Sequence, residues 1–307
     1  MEPSRRVLVT GATGFIGRRL VEALLKEGFV VRCLSRRAEE GFAPGAEGVM
    51  GDLLEPASLE GALKDVDTAY YLVHALGEGR EGFRRRDREA AENFVAAAEE
   101  AGLRRTIYLG GLGESGNHLS EHLASRLEVA ETLRKAAFPV TVLRAAVIIG
   151  AGGASYEILR SLVRRLPLLA IPTAIDTRCQ PIAVEDVIAY LVGCLKDERT
   201  AGQTFDIGGP EVLSYHEMLE RLARVAGTLN LYLPLPLLPV RLFAYGVALA
   251  TPVKASVAIP LIEGLKNEVV CRDERIRELL PLSQTPFDEA VRRALTEEYA
   301  ARPARPG

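Results

Sequence analysis

Residues 6–28 read RVLVTGATGFIGRRLVEALLKEG. A short β-branched run comes first, three glycines spaced three apart follow it, and a helical pattern of apolar residues continues to Lys26. The next β-branched run, VVRCLS, covers residues 30–35. A strand, a glycine-rich turn, a helix and a second strand form a βαβ unit, so the chain is predicted to begin with two parallel strands joined by a helix.

The same alternation of apolar runs and helical patterns continues along the chain. Further strands are predicted at residues 46–53, 68–76, 105–111 and 140–150, with a strand and helix within 177–195 and another strand at 204–209. Several runs are apolar on both faces, as parallel strands covered by helices must be. The sequence therefore predicts an α/β fold, a doubly wound Rossmann-type parallel sheet with a smaller, mostly helical C-terminal lobe.

The three glycines have separate roles after the first strand. Gly11 permits the tight turn, Gly14 lets the backbone approach a pyrophosphate, and Gly17 allows the helix to pack closely on the strand. The helix N-terminus adds amide donors and the positive end of its dipole, so the turn predicts a dinucleotide cofactor. The cofactor-binding residues predicted here are Gly11, Thr13, Gly14, Phe15, Ile16 and Gly17.

The end of the second strand bears on which dinucleotide binds. A site that prefers NAD(H) places Asp or Glu there to accept hydrogen bonds from ribose hydroxyls, whereas this chain has Ser35, Arg36 and Arg37. An arginine forms charge-assisted contacts with a 2′-phosphate, which a carboxylate would repel. The cofactor is therefore predicted to be NADP(H) rather than NAD(H). Arginines that simply end a strand in solvent would give the same pattern.

The dinucleotide motif and the later change in pattern suggest two units. Residues 1–150 are predicted to form the NAD(P)-binding Rossmann domain, completed by strands and a helix near 177–209. Residues 151–175 and 210–307 are predicted to form the substrate-binding lobe. No internal repeat or low-complexity linker separates them, so the lobe is expected to pack directly on the first unit.

Composition narrows the class of protein. The chain has 307 residues, 48% of them hydrophobic, which is enough for a sizeable core. A net charge of −3 gives no basic face for nucleic acid, so we expect no nucleic-acid partner. The four cysteines lack CxxC spacing, which indicates reduced thiols and no metal site. The N-terminus carries no apolar signal region, so a cytoplasmic protein is expected.

Several motifs resemble the extended and atypical branches of the short-chain dehydrogenase/reductase superfamily. They are TGATGFIG at residues 10–17, GDL at residues 51–53, and the later segments RAAVIIG, QPIAVEDV and TFDIGGPEVLSYHEM. The resemblance covers most of the chain and implies the same Rossmann fold. It also implies further cofactor contacts at the ends of the third and fourth strands, from Asp52 and Leu53 beside the adenine and from Leu72, Val73 and His74.

Members of the superfamily that act on carbonyls generally carry Tyr-x-x-x-Lys on the helix after the fifth strand and a hydroxyl at that strand's end. Here Gly110 and Gly111 end the strand, and the helix offers His122 and Arg126. The pair resembles an atypical subgroup with His-x-x-x-Arg. Helical spacing puts both residues on one face. Arg126 falls within the apolar arc formed by Leu119, Leu123, Leu127, Ala130 and Leu133, where a charge needs a ribose, phosphate or similar partner.

Histidine and arginine differ in what they can do. His122, with an ordinary pKa near 6.5, can exchange a proton at neutral pH, whereas Arg126 stays protonated and can only orient or polarise. His122 and Arg126 are therefore the predicted catalytic residues, and Arg126 is also predicted to bind the cofactor. In the alternative, His122 only caps or packs the helix and Arg126 only holds the cofactor.

Residues 231–265 are unusually apolar, beginning LYLPLPLLPVRLFAYGVALATP. Prolines and two basic residues interrupt the segment, so we expect no transmembrane span. A buried lobe or dimer contact, a wall for a lipophilic substrate, and a patch that touches a membrane surface all fit this composition. The sequence does not choose among them.

The function favoured by these features is an NADP(H)-dependent oxidoreductase that acts on an unidentified small or apolar organic substrate. A non-catalytic NAD(P)H-binding sensor is the alternative favoured by the missing tyrosine, lysine and strand-end hydroxyl. An accessory subunit of a membrane-associated redox complex is the alternative favoured by the apolar segment. A homodimer formed through surface helices is a family-level expectation.

Overall fold

The computed structural model describes residues 6–37, 41–74, 82–113, 121–173 and 176–300. Its strands in chain order are β1 (Arg6–Thr10), β2 (Val30–Ser35), β3 (Glu47–Met50), β4 (Thr68–Tyr71), β5 (Arg105–Gly111), β6 (Val140–Ala145), β7 (Ile148–Ile149), β8 (Leu168–Pro172), β9 (Arg178–Cys179), β10 (Ile182–Ala183), β11 (Thr204–Ile207), β12 (Leu213–Ser214) and β13 (Leu231–Leu235). Its α-helices are α1 (Phe15–Lys26), α2 (Glu60–Leu63), α3 (Phe83–Glu100), α4 (Glu121–Leu133), α5 (Ala154–Arg165), α6 (Val184–Lys196), α7 (Tyr215–Ala226), α8 (Val240–Ala250), α9 (Ala255–Gly264), α10 (Arg275–Leu279) and α11 (Phe287–Ala300).

Seven parallel strands form the central sheet in the order β3-β2-β1-β4-β5-β6-β11. Starting from β1, the chain first adds β2 and β3 towards one edge and then adds β4, β5, β6 and β11 towards the other edge. In the middle of the sheet Val9 pairs with Cys33 of β2 and with Tyr70 of β4. The residues Val7, Leu8 and Val9 are buried on both faces of β1, as expected for a strand covered on both sides. The predicted Rossmann-type α/β fold is therefore confirmed.

Helices cover the two faces of this sheet and form two of the three hydrophobic cores. On one face, Leu20 and Leu24 of α1 and Val187 of α6 pack on β1, β2 and β5. On the other face, Phe94 of α3 and Val129 of α4 pack on β4 and β5. The carboxyl ends of the strands lie between these layers, where open α/β sheets bind ligands.

Some predicted strands were too long, and one was misplaced. The strand predicted at 68–76 ends at Tyr71, and the one at 140–150 divides into β6 and β7. The prediction of two late strands in the main sheet was wrong, because only β11 joins it. In the segment 177–183, β9 pairs with β12 and β10 pairs with β7. Pro181, which separates β9 from β10, has no N–H to donate to a continuous ladder.

The third core lies in the lobe built after β6, where α5, α7, α8, α9 and α11 pack together. Helix α7 begins with a capping box between Ser214 and Glu217 and ends at Gly227, which has a φ of 69°. The apolar segment after Leu231 forms β13, which pairs with β8, and then α8 and α9. Among the described helices, none combines the length and the hydropathy that a membrane crossing requires.

Candidate functional site

The turn after β1 needs its glycines for steric reasons. Gly11 has a φ of 66°, and a Cβ on it would lie 2.9 Å from the carbonyl oxygen of Leu72. A Cβ on Gly17 would lie only 2.1 Å from the carbonyl oxygen of Gly11, so α1 could not pack this closely with any larger residue. The N–H of Gly14 donates to the Gly11 carbonyl over 2.9 Å, and α1 begins at the next residue. The turn and the first amides of α1 thus have the geometry that an anion site requires, and the binding of a pyrophosphate there stays a prediction.

A cavity of about 380 Å³ extends from this turn into the lobe. Its wall includes the carboxyl ends of β1, β4, β5 and β6, followed by residues of α5, α7, α8 and α9. Of the predicted site residues, those that line it are Gly11, Gly14, Phe15, Ile16, Gly17, Leu72, His74 and Arg126. The cavity therefore joins the dinucleotide turn to the apolar interior of the lobe.

The remaining predicted cofactor residues lie outside this cavity. Thr13 is exposed within the turn itself. Arg36 and Arg37 are exposed just after β2, and the N–H of Arg37 donates to the Ser35 hydroxyl over 3.1 Å. The N–H of Gly51 donates to the Ser35 carbonyl, which brings the end of β3 next to the end of β2. The predicted 2′-phosphate residues and the predicted adenine residues are thus neighbours on one side of the turn.

Asp52 and Leu53 follow β3 in a tightly bonded loop. One carboxylate oxygen of Asp52 accepts the N–H of Leu54 over 2.9 Å, and the Asp52 N–H donates to the Ser58 hydroxyl. The carbonyl of Leu53 accepts from the Asn93 side chain on α3 over 2.9 Å, while the Leu53 side chain is buried. These bonds fix the loop shape beside β2, and the second oxygen of Asp52 takes no part in the turn.

The end of β4 is held against the glycine turn by Thr10. The Thr10 hydroxyl donates to the Tyr70 carbonyl over 3.1 Å and accepts the N–H of Leu72 over 3.0 Å. Val73 packs into the core under α3 and α4, whereas His74 lines the cavity. The His74 ring centroid lies 6.1 Å from that of Tyr108. Leu72 and His74 thus line the same cavity as the glycine turn, and their contact with a cofactor stays a prediction.

Arg126 on α4 is partly exposed as a residue, but its Nε is buried and has no hydrogen-bond partner in the part of the chain described. Its Nη1 donates only a long bond of 3.4 Å to the Leu109 carbonyl. Burial lowers the pKa of Arg126, while Tyr108 and Asp87 nearby act in the opposite direction. A guanidinium with unused donor capacity on a cavity wall can bind hydroxyl or phosphate oxygens.

The two glycines at the end of β5 leave room for this arginine. A Cβ on Gly111 would lie 3.0 Å from Cδ of Arg126 and 3.2 Å from Cδ2 of Leu123. A Cβ on Gly110 would lie 2.9 Å from the ring of Tyr108. A side chain on Gly111 would therefore press on the arginine stem.

The buried face of α4 differs from the predicted apolar arc. Ser125, Val129 and Ala130 are buried, whereas Leu123 and Leu127 are only partly buried. The Ser125 hydroxyl donates to the buried Asp87 carboxylate of α3 over 2.9 Å. The helix packs on both the sheet and α3, so its polar Ser125 faces a neighbour that a single-helix pattern does not reveal. Leu119 lies outside the described residues.

Two further features of the site, a hydrogen bond and part of the cavity lining, were not predicted from the sequence. The Tyr108 hydroxyl donates to the backbone carbonyl of Arg126 over 3.1 Å, which ties α4 to β5. In the lobe, Ile158, Leu162 and Phe243 line the cavity. The helical spacing of Ile158 and Leu162 signals one apolar face, but nothing in the pattern indicates that this face borders a cavity.

His122 lies in α4, one helical turn before Arg126. Its side chain, like residues 114–120 before the helix, lies outside the described part of the structure. The backbone places His122 and Arg126 on the same face of α4. Its catalytic role remains a prediction.

The glycine turn, the amide-rich start of α1 and the guanidinium of Arg126 together fit a dinucleotide with a pyrophosphate and a ribose. A family model described as NAD(P)H-binding matches residues 11–198. The chain belongs to this family. This family and the fold are those that the resemblance to the short-chain dehydrogenase/reductase superfamily predicts.

Two curated relatives and one solved structure show the range of this similarity. Subunit 9 of the NADH dehydrogenase [ubiquinone] 1 alpha subcomplex of Arabidopsis thaliana is 29% identical, covering 80% of this chain and 62% of that protein. The ceramide reductase of Caulobacter vibrioides is 33% identical, covering 61% of this chain and 59% of the relative. The chain therefore spans about six tenths of the length of these relatives. The triphenylmethane reductase of Citrobacter sp. shares the fold, with a TM-score of 0.76 over 95% of this chain and 99% of that one, at 20% identity.

Proposed function

We propose that this chain is an NADP(H)-dependent oxidoreductase that acts on a small or apolar organic substrate. The observation that carries the proposal is the cavity that extends from the glycine turn into the lobe, with Arg126 on its wall. A cavity that runs from the glycine turn into the lobe can bring a bound cofactor and a substrate into contact, which hydride transfer requires.

Different residues bind the cofactor and orient it. The turn at Gly11 and the first amides of α1 bind the pyrophosphate, and Arg126 orients the ribose on the nicotinamide side. The bound nicotinamide supplies or accepts the hydride. A carbonyl that receives a hydride also needs one proton on its oxygen, and His122 is the proposed donor.

The substrate is expected to be apolar because of the lobe part of the cavity. Ile158, Leu162, Phe243, Pro260 and Leu265 contribute its lining there. Apolar walls favour an apolar ligand, since few polar groups are present to fix a polar one. Similarity to a ceramide reductase is consistent with a lipophilic substrate.

The test of catalysis is NADPH oxidation with a panel of aldehydes, ketones and quinones. His122→Ala is expected to lower turnover by about 10²- to 10⁴-fold with the NADPH dissociation constant unchanged. His216→Ala is the matched control, because His216 lies on α7, where its Nε2 is 3.3 Å from Glu220. Full turnover in His122→Ala would exclude this residue as the proton donor.

The preference for NADP(H) rests on Arg36 and Arg37, which are exposed at the end of β2. Loss of one charge-assisted contact costs about 1.5–3 kcal/mol, so Arg36→Glu should weaken NADPH binding roughly 10- to 150-fold and leave NADH binding much less affected. Arg104→Glu makes the same charge change at an exposed position before β5. Unchanged NADPH affinity in Arg36→Glu would show that the 2′-phosphate assignment is wrong.

A non-catalytic role in a redox assembly is the second candidate. It is supported by the similarity to an NADH dehydrogenase subunit. In that case the chain would bind NADPH tightly and show no turnover with any member of the panel. Isolation of a stable complex with a partner subunit would then support the assembly role.

A further inference from the structure

We propose that α8 docks on the surface of an anionic lipid bilayer through its solvent-facing side. This side, the α8 outer face, consists of Leu237 in the turn before the helix and of Leu242, Tyr245 and Leu249 in the helix. The inference is independent of the proposed reaction, because docking does not require turnover.

The α8 outer face is apolar and exposed. The fractions exposed are 93% for Leu237, 61% for Leu242, 46% for Tyr245 and 89% for Leu249. The three helical residues are spaced i, i+3 and i+7, so they form one stripe along α8. The opposite stripe is buried in the core of the lobe, where it includes Phe243, Ala244 and Val247. Large leucines left in water on one helix face are typical of a surface that binds a partner.

The segment that carries this face contains basic side chains and no acidic one before Glu263. Residues 229–262 contain two charged side chains, Arg241 and Lys254, although the whole chain has a net charge of −3. Both are exposed, and Arg241 makes only a long contact of 3.9 Å with Glu263. The exposed Arg165 also reaches the end of α8, where it donates to the Ala250 carbonyl over 2.8 Å.

This combination fits anionic headgroups. A helix lying in the plane of a bilayer inserts its apolar stripe into the acyl boundary while flanking lysines and arginines contact phosphates. Arg241 lies near the start of α8, and Arg165 and Lys254 lie near its end. Both ends of the apolar stripe are therefore provided with basic groups.

A second copy of the chain is a poorer occupant. A twofold dimer pairs a surface with itself, so a dimer through the α8 outer face would bring Arg241 and Lys254 close to equivalent positive charges. Like charges brought together at an interface are unfavourable. Anionic lipid headgroups carry the opposite charge and would attract these two residues.

Docking in this orientation would also place the substrate cavity next to the bilayer. Phe243, on the inner side of α8, and Pro260 and Leu261 of α9 line the cavity. The same two helices therefore separate the cavity from the proposed membrane surface.

The test is co-sedimentation of the full chain, without cofactor, with vesicles of phosphatidylglycerol and phosphatidylcholine or of phosphatidylcholine alone. We expect binding to the phosphatidylglycerol vesicles that weakens with added salt. Leu242→Glu/Leu249→Glu should reduce this binding more than tenfold, because it removes two apolar groups and adds two negative charges. Arg241→Gln and Lys254→Gln should each weaken it about fivefold.

Met50→Glu/Leu54→Glu is the control, because it adds the same charges at exposed apolar positions near β3. It should bind vesicles like the wild type, and thermal unfolding should show that both double variants are folded. Absence of wild-type binding to phosphatidylglycerol vesicles, or equal binding by Leu242→Glu/Leu249→Glu, would overturn the proposal. The proposal would also be overturned if the wild type formed a stable dimer that bound no vesicles and that Leu242→Glu/Leu249→Glu dissociated.

Discussion

Replacement of Arg126 by methionine separates a cofactor-binding role from a structural one. Methionine keeps most of the apolar stem that packs near Gly111 and removes the guanidinium. The donors removed include the Nε, which has no partner among the described residues, and the Nη1, which makes a 3.4 Å bond to the Leu109 carbonyl. The two effects of the substitution are expected to fall on different measurements.

The magnitudes follow from these contacts. A buried donor without a partner costs about 1–3 kcal/mol, and its removal offsets the lost attraction between Arg126 and Asp87. The unfolding free energy of the cofactor-free protein should therefore change by less than about 1 kcal/mol. A hydrogen bond from a charged group to the cofactor is worth about 1.5–3 kcal/mol, so the NADPH dissociation constant should rise roughly 10- to 150-fold.

Denaturant unfolding without cofactor and fluorescence titration with NADPH measure the two quantities. The matched control is Arg105→Met, because Arg105 is a buried arginine at the amino end of β5, where it donates to Thr141 and Thr200. That variant loses the two hydrogen bonds to these threonines, so it should lose about 1–3 kcal/mol of stability and keep its NADPH affinity. If Arg126→Met instead lost about 3 kcal/mol of stability and bound NADPH normally, Arg126 would be a structural residue and our assignment would be refuted.

Two other perturbations give independent checks. Gly111→Ser should displace the Arg126 side chain, cost about 1–3 kcal/mol of stability and weaken NADPH binding; a crystal structure of the variant with Arg126 unmoved would contradict this. Glu211 accepts from Arg221 over 2.6 Å and from the Phe287 N–H over 2.8 Å, and although burial raises its pKa, these bonds keep the pKa below the ordinary value of 4.5. Its stabilisation is therefore present at neutral pH and lost as the pH falls through the lowered pKa. Glu211→Gln should lower the unfolding free energy by about 1–2 kcal/mol at pH 7, and the difference from the wild type should be smaller below about pH 4. A difference that stays constant with pH would argue against ionic stabilisation.

The parts of the fold that local sterics determine could be read from the sequence. The turn at Gly11 and Gly17 is one such part, because the contacts that exclude a Cβ come from residues within the same turn or the adjoining strand end. The buried face of α4 was predicted less well, since periodicity does not show that Ser125 faces a carboxylate on α3. The lobe part of the cavity could not be predicted, because its lining comes from helices far apart in the chain, with Ile158 and Phe243 as examples.

The missing hydroxyl at the end of β5 and the presence of Arg126 are one structural feature rather than two. The Cβ position of Gly111 lies 3.0 Å from the arginine stem, so a serine there and an arginine at position 126 would compete for the same space. A serine at this position would require the arginine stem to shift by a few tenths of an ångström, so packing against Arg126 explains the glycine as well as lost catalysis does. The hydroxyl's absence therefore favours a sensor no more than an enzyme, and the distinction depends on whether His122 transfers a proton to a substrate bound in the cavity.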